Sequence, residues 1–342
     1  MKRLRVSLLS LCAAAVILAA GAQAGSTSSS SPSQNLIKIN YATSFGTFGR
    51  DAYVYAAIER GFFREAGFDV DVVPGNGSVD NMRLVAAGRL DFAPVDVTAL
   101  VITRANEGIP VKALSLVHQN TLSAIFTLEE SGITTPKDLE GKTIADVPGS
   151  AIKALFPLYA KRSGFDSNTV TFVPATPPGL PGLLASKQVP AVGQFTVGKP
   201  LFSRAAGGKP IRAFRYDKVF PGLMGIAVIA TDQRIRTKAA ETRRFIAALN
   251  RGLKWSIDNP GQTGRILHEA VPLADYAIAA RELRIMKRFV QTRVTRARGI
   301  GYIDRRRVSS TISIVRNGFE LKNPITAGNV YAPGFVAAPK KR

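Results

Sequence analysis

Apolar and polar residues alternate through NLIKINYA, Asn35 to Ala42, with the period of a half-buried strand. The turn-rich TSFGTFGR then gives way to the helical spacing of DAYVYAAIERG, closed by Gly61. FFREAG reads as a short helical turn and FDVDVVP as a second strand. Ser78 is placed to cap a helix in which Val79, Met82, Val85 and Ala86 share a face, with Asp80 at its positive end and Gly88 as its stop. RLDFAPVD is the next strand. After PVKALSLVHQNTLSAIFTL the order begins again. Thr135-Pro136 opens a short helix that Gly141 ends, KTIADVP is a strand leading into GSAIKALFPLYAKRSG, and NTVTFVP and PGLPGLLASKQVPAVGQF complete the round.

The two rounds share a junction: LVAAGRLDFA, from Leu84, lies over LLASKQVPAV, from Leu183. Strands alternating with helices imply parallel sheets of βαβ units, and two such rounds predict an α/β protein of two lobes. MGIAVIAT supplies one more strand, and from Lys238 onward the pattern is helical and too amphipathic to stand alone. Those helices are expected to pack back on the first lobe. The implied organisation is a first lobe over 36–125, a second over 126–223 and a return to the first over 224–342, with crossings near Ile125 and Met224 and a cleft between the lobes.

The first residues change the compartment. Lys2, Arg3 and Arg5 precede an apolar run from Val6 to Ala20 that ends in Ala22-Gln23-Ala24, the order of an export signal over 1–24. Gly25 to Asn35, GSTSSSSPSQN, has the composition of a flexible leader over 25–35. An exported chain in the periplasm, or on the outer face of the cytoplasmic membrane or cell wall, is expected. Cys12 is the only cysteine and falls inside the apolar run, so a processed chain would have no disulfide, thiol nucleophile or thiolate metal site. The formal charge of +22 is concentrated late, around Arg281 to Arg307. No aromatic-interleaved basic motif, zinc knuckle or basic zipper accompanies it, which argues against nucleic acid and leaves association with an anionic cell envelope open.

Catalytic constellations are scarce. His118 and His268 are the two histidines, without metal-ligand spacing, and there is no phosphate loop or GxSxG elbow. No catalytic residue, metal or cofactor is assigned. Binding is better supported, because open α/β sheets hold ligands beyond the carboxyl ends of their strands, where this chain puts glycines and hydroxyls. The candidates are Ser44 and Phe45 in TSFGTFG, Gly75, Asn76, Gly77 and Ser78 in PGNGSVD, Gln119 and Asn120 in HQNT, Gly149 and Ser150 in PGSA, and Gln194, Phe195 and Thr196 in GQFT. The second and fourth loops each join a strand to a helix and offer free N–H groups at a positive dipole end. Asp96 ends its strand facing the same place, whereas Asp91 reads as structural. Phe45, Tyr53, Phe195, Tyr216 and Phe220, in or beside these loops, are candidates for stacking on a flat ligand.

YVYAAIERGFFREAGFDVDVVPGNGSVDNMRLVAAGRLDFA resembles the periplasmic solute-binding proteins for nitrate, sulfonates, taurine and the pyrimidine precursor of thiamine, where A-x-x-x-G-x-F-x-x-x-G precedes a strand, a glycine loop and L-x-x-G-x-x-D. TTPKDLEGKTIADVPGS is similar to their second-lobe entrance, and FRYDKVFPGLMGIAVIATDQRI resembles the pyrimidine-precursor and riboflavin binders more than the sulfonate binders. The resemblance implies a type II periplasmic-binding-protein fold and a receptor that delivers a small heteroaromatic or anionic nutrient to an ABC permease and its ATPase. Where the family has G-x-V-D-A this chain has Lys187, Val189, Pro190 and Ala191, so specificity does not transfer there. The alternatives are a sulfonate, taurine or nitrate receptor, a pyrimidine-synthase-like enzyme, which would need a cysteine-rich iron motif, and a polyanion-binding surface protein.

Overall fold

The computed structural model describes residues 35–337, and the export signal and nearly all of the Ser-rich leader, residues 1–34, lie outside them. In the first lobe β1 (Ile37–Ala42) pairs in parallel with β2 (Phe68–Val73), and β3 (Ala93–Asp96), β10 (Ile226–Thr231) and β4 (Val111–Leu116) form a three-stranded group. A bridge between Tyr41 and Phe92 joins the two groups edge to edge. The second lobe is a five-stranded sheet in the order β7 (Thr171–Pro174), β6 (Thr143–Asp146), β8 (Ala191–Phe195), β5 (Ser123–Leu128) and β9 (Ile211–Arg215).

The sheets are mixed, not parallel throughout. β10 runs antiparallel to β3 and β4, and β5 runs antiparallel to β8 and β9. Both are the first strands after a crossing between lobes. A strand entering directly from the other lobe has no helix to return it to the starting edge, so it pairs in the reverse direction. The change of sheet falls between Leu116 and Ser123 on the way out and between Arg215 and Ile226 on the way back. The boundary expected at Ile125 therefore falls inside β5.

Nine of the helices among the described residues flank the sheets and the cleft. In the first lobe these are α1 (Ala52–Glu59), α2 (Ser78–Ala86) and α3 (Val97–Glu107), and in the second α4 (Ala151–Ser163) and α5 (Lys199–Ala205). The carboxyl-terminal third supplies α6 (Ala239–Asp258), α7 (Pro260–Ala270), α8 (Tyr276–Val290) and, after a short helix at Arg293–Arg298, α9 (Arg305–Arg316). The helical run expected from LADYAIAARELRIMKRFVQTRV is broken at Gln291, because Thr292 and Thr295 exchange N–H···Oγ bonds in a capping box that starts a new helix.

Phe245 of α6 anchors this third to the first lobe. Its ring stacks on Phe92 at 4.1 Å and on Phe63 at 5.1 Å, and meets the edge of Phe68 at 5.7 Å. Gly252, two turns further along the same face of α6, lets the helix approach α1 so closely that a Cβ there would run into Ala57 and the Tyr53 carbonyl. The third also reaches the second lobe: Asp275, at the start of α8, pairs with Arg204 of α5 at 2.5 Å, and Gly318 packs against Leu158 of α4.

Candidate ligand cleft

The two glycine loops meet across the space between the lobes. Pro74 to Ser78 links β2 to α2, Pro148 to Ser150 links β6 to α4, and both turn through glycines with positive φ, Gly77 at 107° and Gly149 at 75°. A Cβ on Gly77 would lie 3.9 Å from the Gly149 carbonyl oxygen, and one on Gly149 3.4 Å from Val79. The lobes are closed on each other here. Gly75 lies against the end of β1, where a Cβ would run into the Thr43 carbonyl. Asn81, which the sequence pattern did not single out, holds that arrangement by donating to the Thr43 carbonyl at 2.9 Å and the Pro94 carbonyl at 3.1 Å.

Ser78 and Asp96 do other work than expected. Gly77 occupies the cap position of α2, and the Ser78 hydroxyl accepts the Asp96 N–H at 2.9 Å. Asp96 itself caps α3, accepting from Thr98 N at 2.8 Å, and burial pushes its carboxyl up to about 6 against that N–H. Ser150 does cap α4, accepting from Ile152 N at 3.0 Å. Asp146 lies beneath that loop with its carboxyl pushed up to about 7 by burial, in a space that exists because residue 193 is glycine.

Phe45 and Phe195, from opposite lobes, face each other at 5.7 Å in the closed cleft. Arg50, fully buried, lies against both: its guanidinium carbon is 5.9 Å from the Phe45 ring, 5.2 Å from Phe195 and 4.6 Å from Phe48. It donates from Nη2 to the Phe45 carbonyl at 2.5 Å, while Nε has no hydrogen-bond partner among the described residues. Around it sit three further buried groups. Asp51 takes the Ser44 N–H and hydroxyl on one oxygen, at 3.0 and 2.8 Å. Glu282 of α8 accepts the Arg50 backbone N–H at 3.3 Å and leaves Oε1 unpartnered. Burial raises its carboxyl to about 7, the Arg50 charge opposing and the Asp51 charge adding. His118 has neither ring nitrogen partnered and is held down to about 3, first by burial and then by the Arg50 charge, so it is neutral at pH 7. The Ser123 hydroxyl, on the residue paired with Phe195, is also unpartnered.

The remaining sequence candidates do not converge here. Tyr216 is core of the second lobe, stacked on Tyr159 at 4.2 Å with its hydroxyl on the Ile152 carbonyl. Tyr53 is core of the first, its hydroxyl 2.7 Å from that of Tyr41. Phe220 is buried at the second crossing, near Arg162. Gln119 and Asn120 belong to the first crossing, where Arg307 of α9 donates to the Gln119 carbonyl at 2.5 Å and to Asn120 Oδ1 at 2.7 Å, and Gln119 Nε2 donates to the Tyr302 carbonyl. Thr196 fastens the same crossing through Leu122, and the Gln194 side-chain carbonyl is taken by the Phe195 N–H. These departures share a cause. Strand-end loops in a two-lobed chain serve both hinge and cleft, and residue type alone does not separate the two uses. Arg50 and Glu282 escaped notice, and His118 was weighed only as an isolated histidine, because the three lie far apart in sequence; the one hint was Glu282 as an isolated acid on the apolar face of α8.

Two sheets with flanking helices, joined by two crossings and closed on a glycine-lined cleft, define the periplasmic-binding-protein class of fold. The profile of the family described as NMT1/THI5 like matches residues 51–263, and the chain belongs to that family. It is 23% identical over 218 residues to the formylaminopyrimidine-binding protein of Halalkalibacterium halodurans, covering 63% of this chain and 65% of that one. A second relative, the 4-amino-5-hydroxymethyl-2-methylpyrimidine phosphate synthase of Uromyces fabae, is 29% identical over 123 residues, 35% of each chain. The chain thus spans less than two thirds of these curated relatives. Among solved structures, the alkanesulfonate-binding protein SsuA of Xanthomonas axonopodis pv. citri bound to MOPS superposes with a TM-score of 0.67 at 14% identity, over 86% of this chain and 98% of that one.

Proposed function

We propose that this chain is the extracytoplasmic receptor of an ABC importer, capturing a small planar heteroaromatic solute of the aminopyrimidine kind and presenting it to the permease without chemistry of its own. The observation that carries this reading is the Phe45–Phe195 pair, contributed by opposite lobes and bordered by polar groups that lack partners. Those groups are both donors and acceptors: Arg50 Nε–H and the Ser123 hydroxyl donate, Glu282 Oε1 accepts, and neutral His118 does one of each. Nitrate or a small sulfonate would use donors alone. The Arg50 charge is moreover offset by the Asp51 carboxyl, whose Oδ2 lies 3.6 Å from Arg50 Nε, with the Glu282 carboxyl alongside, so the cluster is not a net cation waiting for an anion. Similarity to a formylaminopyrimidine-binding protein supports the same choice. Secretion fits the leader read in the sequence, and among the described residues no helix is long and apolar enough to cross a membrane.

A thermal-shift panel tests this reading, since a ligand that binds only the folded state raises the melting temperature by mass action. An aminopyrimidine or flavin-like compound is expected to stabilise the protein, with nitrate, taurine and alkanesulfonates silent. Stabilisation by a sulfonate alone would overturn the ligand class, and silence across the panel would overturn the receptor role. Turnover of a bound pyrimidine, read by mass spectrometry, would favour the synthase-like alternative.

A further inference from the structure

Helix α8 presents an outer face that neither the cleft nor the core uses. Arg281, Arg284 and Arg288 recur at spacings of three and four residues and so share one exposed stripe, flanked by Lys287 and, at the start of the helix, by Tyr276. Just before the helix, the α7–α8 turn holds Leu273 fully out in solvent, and Tyr276 is 53% exposed. From Ala277 to Arg316 the chain has eleven cationic residues against two carboxyl residues, Glu282, which is buried, and Asp304, which caps α9. Among the described residues, Lys287 alone of these exposed cations is in an ion pair, with Asp258.

We propose that the α7–α8 turn and the outer stripe of α8 form a docking surface for a bilayer containing anionic phospholipid. Charge complementarity supplies attraction, each arginine or lysine near such a surface adding to it and salt weakening it. The Leu273–Tyr276 tip is what selects a lipid surface over other polyanions. A solvent-exposed leucine gains nothing against phosphodiester or polysaccharide chains, whereas at a headgroup boundary its side chain leaves water and the tyrosine ring lies in the polar–apolar zone, with arginines reaching outward beside it. The surface would keep the receptor on the membrane that carries its permease without a covalent anchor. Only this last consequence rests on the receptor reading; the surface stands without it.

The test is flotation of ligand-free protein with vesicles of equal parts phosphatidylcholine and phosphatidylglycerol, against phosphatidylcholine alone. Binding to the anionic vesicles and not the neutral ones is expected, falling roughly tenfold when salt collapses the screening length. R281Q/R284Q/R288Q should lose most of it and L273S/Y276S should lose several-fold, with melting temperature unchanged in both. Equal recovery with neutral vesicles would overturn the proposal. So would unchanged flotation of L273S/Y276S together with equally strong capture on heparin, which would make the face a general polyanion site. A ligand-induced thermal shift retained in both variants would show that the cleft is unaffected, keeping this outcome separate from that of the receptor reading.

Discussion

Phe45 and Phe195 are buried to 3% and 5% exposure, yet they come from different lobes and meet across the closed cleft. Replacing either with alanine should weaken solute binding by about 1–2 kcal/mol, within the range for aromatic contacts, and titration calorimetry reads this directly. Tyr216→Phe, by contrast, removes a bond to the Ile152 carbonyl in the second-lobe core, so it should lower the melting temperature and leave affinity alone. Glu282 gives a pH signature. Its folded-state pKa lies above the usual carboxylate value, so its contribution is fully favourable below about pH 4 and is lost as pH rises through about 7. The melting temperature of Glu282→Gln relative to the parent should therefore climb between pH 5 and pH 8. A difference that is flat or falling with pH would contradict the buried, charge-coupled placement of this carboxyl.

Elements set the geometry these residues need. The Pro74–Ser78 loop is held by Asn81 and by the Gly75 contact with Thr43, so Gly75→Ala should displace the loop and abolish solute binding while the distant Phe245 cluster still melts cooperatively. Removing that cluster's centre is a different experiment: Phe245→Ala should cost about 3–5 kcal/mol, measurable by denaturant titration. The alternation in NLIKINYA, the Gly61 stop and the two strand-to-helix glycine loops were legible from the residues themselves, because strand period, stop signals and positive-φ turns are local properties. The reversed direction of β5 and β10 was not, since it follows from a crossing whose position the chain does not mark. Nor was the role of Gln119 and Asn120, which depends on Arg307, far along the chain.

The whole molecule is built as two lobes that meet across one cleft. Two sheets are joined by crossings at 117–122 and 216–225, the first of them clasped by Arg307, and α8 bridges the lobes through the Arg204–Asp275 pair and the Glu282 contact with Arg50. On the proposed receptor reading the lobes close on a planar solute held beside the Phe45–Phe195 pair, with the Gly77 and Gly149 loops meeting at the cleft edge. Arg83 of α2 and Lys153 of α4 are exposed on opposite lobes, and Cys12 is the only native cysteine, so spin labels at R83C and K153C in a Cys12-free chain report the separation. Pulsed electron resonance should give a broad distance distribution without solute, narrowing to a single shorter distance when a formylaminopyrimidine is added and not when taurine is added. A distribution that no solute in the panel alters would contradict closure on a ligand as this protein's function.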